Sequence, residues 1–469
     1  MTADPTFDSA QLQRRVESAA SALDVPGVAV GIYQRGWKSY AAYGVTSVEN
    51  RLRVDKSTLF QYGSTHKTFT ATAVMCLVEQ GLVELTDKVR SYIPELRTKD
   101  ERVAREVTVL QLLNHTSGWF GDPPERCGDG DDCRARFIST LSKLDQLMPL
   151  GFSMSYNNAA MIVAGHLLEK VTGCVYEEAI TQLICEPLGL KNTFLTPNDV
   201  MTRRFAVGHH HDDKGTISVV RPWASPRAGA PHGGWGVCAS IEDQLAWAIF
   251  HLGDGTAANG SRLMSHDLLE SMKQPTVRIP GANFGDAVGI SWLLREIDGV
   301  RVVAHGGTTT GQYSQLLIVP DRDFAFVCLS NSRPNGAELT DSLERWALKT
   351  YVGLVDPVRD PLPLSKEILQ EYEGVYETPY TLAEVKAGEG NLQLTLTVKA
   401  AIRRFLQFQG TDLPRHSELQ LGIIDLRDSR YVVTSEAAKG LKGCFIRGPS
   451  RRIEALHIRG RIAMRKRDE

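Results

Sequence analysis

Apolar and polar positions change rhythm along the 469-residue chain. From residue 7 to about residue 352, stretches of helical and strand period alternate, whereas from about residue 365 onward short two-residue alternations are broken by turn residues. In the first part, Gln11 to Leu23 has the spacing of an amphipathic helix. GVAVGIYQ followed by KSYAAYGV predicts two strands joined by a tight turn at Arg35 and Gly36. ISWLLREI, VRVVAHGG, YSQLLIVP and AFVCLSNS predict further strands, and Asn335 to Val352 predicts a closing helix. Strands at both ends with helices between them predict an antiparallel sheet covered by helices, an α+β arrangement.

The stretch VDPVRDPLPLS carries Pro357, Pro361 and Pro363, which favour an extended linker. We therefore divide the chain into residues 1–354, a linker at 355–364, and a second domain at 365–469. In the last, EGVYETP, AEVKAGEG, LQLTLTV, RYVVTS and GCFIRG predict a small antiparallel barrel or sandwich. The basic end, RGRIAMRKR, reads as a solvated tail, with attraction to an acidic carrier protein as the alternative.

Composition narrows the function. Hydrophobic residues make up 42% and charged residues 23%, as in ordinary globular proteins. A formal net charge of -2 leaves no excess of positive charge for a phosphate backbone, so nucleic acid is not expected as a partner. No run approaches the roughly 20 apolar residues needed to cross a bilayer, so no membrane partner is expected. The first 20 residues lack the basic and apolar regions of a secretory signal, and the expectation is a cytoplasmic protein. The eight cysteines include no C-x-x-C pair and read mostly as buried thiols. Cys127 and Cys133 flank GDGDD, which reads as a mobile surface loop, with a bridge or a bound cation as alternatives. His209, His210 and His211, followed by Asp212 and Asp213, read as a solvated loop, and no metal or cofactor is expected.

The candidate chemistry begins in FQYGSTHKTFTATAVMCLVEQG, where Ser64 follows a glycine at a predicted helix start and the helix stops at Gly81. Lys67, three residues on, shares a helical face with Ser64, so its amine can act on the hydroxyl if burial holds it neutral. Taken alone, the pair also fits a plain helix cap with a solvated lysine. Three further segments supply missing parts. VTVLQLLNHTSGW runs from Val107 to Trp119. PLGFSMSYNNAAMIVAGHLLEKVTG places Tyr156 and Asn158 just before a helix, and VVAHGGTTTGQYSQLLIVP places His305 near a strand end. Gly306 and Gly307 follow His305 and would let a substrate backbone approach closely.

This constellation resembles the serine β-lactamase and penicillin-binding-protein superfamily, in its class C-like and DD-peptidase-like esterase branch, over roughly residues 10–350. Ser64 and Lys67 match S-x-x-K, Tyr156 and Asn158 match Y-x-N, and His305 with Gly307 stands at the K-T-G position as H-x-G. The HTSG run from His115 to Gly118 also resembles the family, and no catalytic role is carried to His115. The resemblance implies that Ser64 attacks an acyl carbon while Tyr156 and Lys67 share its proton, with the base left open between them. It implies an oxyanion held by the Ser64 and Thr308 amides. Asn158 would orient a substrate amide or Lys67, and His305 would steer a carboxylate or relay a proton. A histidine at the family's lysine position weakens the fixed charge there and argues against an efficient β-lactamase.

The catalytic set, the segment APHGGWGVCAS around Trp235, and the C-terminal β domain together resemble the stand-alone penicillin-binding-protein-type thioesterases that cyclise nonribosomal peptides. That resemblance implies a lipocalin-like C-terminal domain, and a substrate that is a peptide on a peptidyl carrier protein or a small peptide thioester or ester, with a D-residue at the acyl end. Trp235 and Gly236 would wall the site against water, with a packed core tryptophan as the alternative. Arg447 would reach over the cleft, with a solvated arginine as the alternative. A D-amino-acid-specific peptidase or an esterase uses the same residues, and a catalytically silent binding module stands as the reading from another class.

Overall fold

The computed structural model describes residues 8–466 apart from 125, 213, 283, 358 and 401–414. Eight strands form one antiparallel sheet. They are β1 (Gly27–Gln34), β2 (Trp37–Gly44), β3 (Val277–Ala282), β4 (Gly285–Val288), β5 (Leu293–Ile297), β6 (Val300–Thr308), β7 (Tyr313–Val319) and β8 (Phe324–Ser330), in the spatial order β2-β1-β8-β7-β6-β5-β4-β3. The expected hairpin is present, with Arg35 and Gly36 both at positive φ between β1 and β2.

Strand periodicity explains how the sheet is covered on both faces. Val28, Val30 and Ile32 of β1 and Phe324, Phe326 and Cys328 of β8 pack with Leu12 and Val16 of α1 (Ser9–Ala22) and with Leu339 and Leu343 of the closing helix (Asn335–Ala347). The intervening Ala29, Ala325, Val327 and Leu329 face a larger core built around α2 (Lys67–Glu79), α3 (Asn158–Thr172) and α4 (Ile241–Leu252). These helices are apolar on more than one face, because α2 and α3 sit inside the domain; Ala159 through Leu168 are all buried. A chain with this packing has the β-lactamase/transpeptidase-like α+β arrangement, and its C-terminal part is a small all-β domain.

After an irregular stretch that includes the three prolines, that domain closes into an eight-stranded barrel, Gly374–Glu377, Thr381–Ala387, Leu392–Val398, His416–Asp425, Arg430–Val433, Lys442–Arg447, Ile453–Ile458 and Arg461–Arg465. Tyr376 pairs with Arg465 to close the ring, which settles the choice between barrel and sandwich. Its interior is filled by Tyr376, Tyr431, Phe445 and aliphatic side chains. The last two strands correct the tail assignment, because Arg461–Arg465 is a barrel strand and not a solvated end.

Two further expectations are corrected. His209–His211 is a short strand rather than a solvated loop: buried His209 accepts from the Val48 amide and bonds the Asn331 carbonyl, and His211 bonds Ser332. The acidic loop is tied down, since Asp129 and Asp131 both accept from Arg227, and Cys133 is a buried free thiol. Among the described residues no helix is long and apolar enough to cross a membrane.

Among the described residues the imidazoles of His66, His115, His209, His251, His305 and His457 are fully or nearly fully buried, and burial lowers the pKa of each. His66 and His305 are held at about 3 and His457 at about 4. The unfolded chain takes up these protons first, near its ordinary value of about 6.5. The stability they contribute is therefore whole above about pH 6.5 and is lost as the pH falls toward 3 to 4. Asp243 and Asp341, pushed up to about 6 by burial, act in the opposite sense below about pH 6 but are fewer. Thermal melts should give a lower Tm at about pH 5 than at about pH 7.5, and equal values would contradict neutral burial of the imidazoles.

Candidate active site

The strand Phe60–Gln61 pairs with Cys238–Ala239, and this places the turn that follows it, Gly63–His66, at the mouth of α2. Lys67 is the first residue of α2 and is completely buried. Its Nζ lies 2.9 Å from Ser64 Oγ and 3.2 Å from the carbonyl oxygen of His232. The phenol of Tyr156 reaches the same hydroxyl from the loop before α3, and Lys67 Nζ stands 4.7 Å from its ring centroid. The nucleophile is thus held between an amine and a phenol, as the S-x-x-K and Y-x-N spacings predict. Burial pushes the Tyr156 phenol well above its ordinary pKa; the Ser64 hydrogen bond and the Arg461 charge oppose that push, and Asp122 adds to it.

Strand β6 runs directly against the Ser64 turn. Thr65 Oγ1 donates to the His305 carbonyl at 3.1 Å, and Ser314 Oγ on β7 donates to the Tyr62 carbonyl at 2.7 Å. A Cβ at Gly307 would stand 2.0 Å from the Tyr62 oxygen and 2.9 Å from the Ser64 nitrogen, and one at Gly306 would meet Gln315. These glycines admit the protein's own Ser64 turn and a neighbouring side chain. Gly63 lies equally close to the Thr308 nitrogen, so the two amides named for the oxyanion are brought together.

His305 is 1% exposed, and its Nδ1 donates to the Gly306 carbonyl at 2.7 Å. Nε2 is left as a lone-pair acceptor with no partner among the described residues. Burial, with the Lys67 charge, holds its pKa at about 3, so the ring is neutral and supplies no charge for a carboxylate. Of the two roles expected for His305, this form supports the proton relay. Asn158 opens α3 while Asn157 caps it, and the Asn158 amide donates to Asp122 Oδ1 at 2.8 Å.

Asp122 leads to what the sequence reading missed. The two-residue turn at Arg459 and Gly460, both at positive φ, projects the last hairpin of the barrel onto the catalytic loop. The Tyr156 amide donates to the Gly460 carbonyl at 2.8 Å, and the Ile462 amide donates to Ser155 Oγ at 3.2 Å. Arg461 donates to both oxygens of Asp122, at 2.7 and 3.0 Å, and its guanidinium lies 4.7 Å from the Tyr156 ring centroid. The sequence signal was present as IEALHI and RIAMR on either side of a two-residue turn.

Arg447 is elsewhere. It forks onto Glu371 at 2.9 and 2.5 Å on the barrel, where both side chains are partly exposed, and the barrel arginine beside the Tyr156 phenol is Arg461. Trp235 is partly buried against the main core with φ of 63°, its amide held by Ser225 Oγ at 2.8 Å. The preceding Gly233 lies against the Gly63 backbone, and Gly236 lies against Trp223, so this loop borders the nucleophile turn through its glycines. His115 is buried 4.5 Å from the Tyr156 ring and accepts from the Asn157 amide, which fits a structural part in holding the catalytic loop.

An antiparallel sheet with an interior helix that starts at Lys67 just after Ser64, faced by Tyr156 and His305, has the arrangement of the serine β-lactamase and penicillin-binding-protein superfamily. The chain belongs to the beta-lactamase family, whose family model, described as Beta-lactamase, matches residues 12–350. It is 32% identical over 339 residues to "Penicillin-binding protein 4" of Amycolatopsis lactamdurans, covering 71% of this chain and 88% of that one. It is 33% identical over 216 residues to a "Beta-lactamase" of Lysobacter lactamgenus, covering 46% and 54%. Among solved structures, SurE with D-Leu superposes with a TM-score of 0.76 at 24% identity, covering 98% of this chain and 99% of that one. A class C beta lactamase from Rhodobacter sphaeroides gives 0.58 at 24% identity and covers 72% and 98%.

Replacing Ser64 by Ala should abolish turnover of an activated ester, and Lys67→Ala and Tyr156→Phe should each lose at least about two orders of magnitude in kcat. Near wild-type kcat in either of the last two would overturn the assignment. Arg447→Ala should leave the same kinetics unchanged, because its partner is Glu371.

Proposed function

We propose that the protein is a serine acyltransferase that takes a peptidyl thioester onto Ser64 and releases it by head-to-tail macrocyclisation. In the first step the acyl carbon bonds to Ser64 Oγ, the carbon–sulfur bond breaks, and the serine proton leaves on the thiol through Lys67 and Tyr156. In the second, the peptide's own amine bonds to the acyl carbon, the carbon–oxygen bond breaks, and the amine proton returns to Ser64. His305, neutral with a free Nε2 lone pair, accepts or relays that proton. The acyl donor is a peptide on a peptidyl carrier protein or a small peptide thioester, and its acyl-end residue has D configuration.

The observation that carries this reading is the barrel hairpin seated on Tyr156, because an acyl-enzyme awaiting an amine must be kept from water. A neutral His305 supports it further, since a β-lactam carboxylate finds no fixed charge there. The two-domain likeness to SurE, a protein solved with D-Leu, is consistent with a D-residue. The reaction belongs to the cytoplasm, where carrier-bound peptides are made. A D-amino-acid-specific peptidase or class C-like esterase is the second reading, favoured by the likeness to "Penicillin-binding protein 4".

Mass spectrometry of products from linear peptide thioesters that differ only in L or D configuration at the acyl end separates the two. Cyclic product from the D-terminated thioester alone is expected. Free acid as the sole product would make the protein a hydrolase and reject cyclisation.

A further inference from the structure

Behind the nucleophile, a run of buried polar side chains connects two backbone segments of the site. The Tyr62 hydroxyl lies 2.8 Å from His66 Nδ1, and His66 Nε2 lies 2.8 Å from the Tyr176 hydroxyl. That hydroxyl lies 2.6 Å from Thr70 Oγ1, which in turn lies 2.7 Å from the Pro231 carbonyl oxygen. All four side chains belong to fully buried residues.

One end fixes every proton in the run. A carbonyl only accepts, so Thr70 donates to Pro231. Its single proton is then used, and Tyr176 must donate to Thr70. The Tyr176 proton is used in turn, so His66 donates from Nε2, and its Nδ1 accepts the proton of Tyr62. The direction is therefore Tyr62 to His66 to Tyr176 to Thr70 to Pro231. Burial and the charge of Lys67 keep the imidazole neutral, as this order requires.

The two ends of the run are the two segments that matter to catalysis. Tyr62 precedes the Ser64 turn, and its carbonyl is the one that Ser314 holds. Pro231 immediately precedes His232, whose carbonyl accepts from Lys67 Nζ at 3.2 Å. The packing around the run is tight. A Cβ at Gly165 would stand 2.3 Å from Pro231 Cγ and 3.3 Å from Tyr176 Cδ2. The Tyr176 amide donates to Glu169, and Arg134, bound to both Glu169 and Glu177, stands 5.2 Å from the Tyr176 ring centroid. Arg227, which opens the turn ending at His232, is held by Glu177 and Asp131.

We infer that Tyr62, His66, Tyr176 and Thr70 form a positioning chain that fixes the His232 carbonyl against Lys67, and so holds the amine on Ser64. These residues touch neither substrate nor reacting atoms. They set the geometry in which Lys67 meets the hydroxyl, where a shift of about 1 Å costs up to about a hundredfold in rate.

The test measures inactivation by an alkyl fluorophosphonate, in which the Ser64 oxygen bonds to phosphorus and fluoride leaves. Tyr176→Phe should lower the maximal inactivation rate constant by about tenfold or more while the half-saturating concentration stays unchanged. Thr70→Val should do the same, and Thr70→Ser, which keeps the hydroxyl, should restore it to within about threefold. The double variant Tyr176→Phe/Thr70→Val should be no slower than its slower parent, since both cut one chain. Wild-type rate constants in folded Tyr176→Phe and Thr70→Val overturn the inference. If Tyr176→Phe does not fold, equal rates for Thr70→Val and Thr70→Ser overturn it alone. The nitrogen-15 resonances of His66, identified by their loss in His66→Gln, should show Nε2 protonated and Nδ1 bare from about pH 5 to 9. A proton on Nδ1 would contradict the assigned direction. The label requires neither amine nor peptide, so a hydrolase in place of a cyclase would leave these outcomes unchanged.

Discussion

The complete burial of the Lys67 amine is the constraint on which the rest of the site depends. An amine taken out of water needs polar partners. Its partners include the Ser64 hydroxyl, the His232 carbonyl and the face of the Tyr156 ring, and each comes from a different part of the fold. The interior position of α2 provides the burial. Strand β6, with no side chain at Gly307, closes on the Ser64 turn from one side, and the turn ending at His232 closes from another. Loosening any of these would admit water to the amine.

The barrel belongs to the site. Its last hairpin takes the amide of Tyr156 into its own backbone hydrogen bonding and sets Arg461 beside the phenol, braced on Asp122. Asp122 also receives the amide of Asn158, so one carboxylate links the barrel, the Y-x-N loop and the start of α3. His305 is neutral, and the Arg461 guanidinium beside the phenol comes from the second domain.

Much of this was legible in the chain. The two-residue period of β1, β6, β7 and β8 and the spacing of Ser64 to Lys67 are local, and local patterns survive into the structure. The Ser64, Lys67, Tyr156 and His305 set followed from motifs whose geometry is built into a turn or a strand. What escaped was long-range. Arg447 and Arg461 are both barrel arginines near strand ends, and only the closing of the ring shows which one faces Tyr156 and which one faces Glu371. His209, the acidic loop and the run from Tyr62 to Thr70 found their partners more than 90 residues away in sequence, where no periodicity points. The basic end was read by its charge, although the apolar run Ile462-Ala463-Met464 lies within it as part of a strand.

The central claim, that the barrel supplies a working part of the acylation site, is tested most directly by the rate at which a fluorophosphonate labels Ser64 in Arg461→Met. That substitution keeps an unbranched apolar stem in place of the guanidinium, while the barrel core of Tyr376, Tyr431 and Phe445 is untouched. The account predicts a labelling rate constant at least about tenfold below wild type, with the thermal melt of the barrel retained. A rate within about twofold of wild type would contradict it and return the barrel to the status of an appended domain.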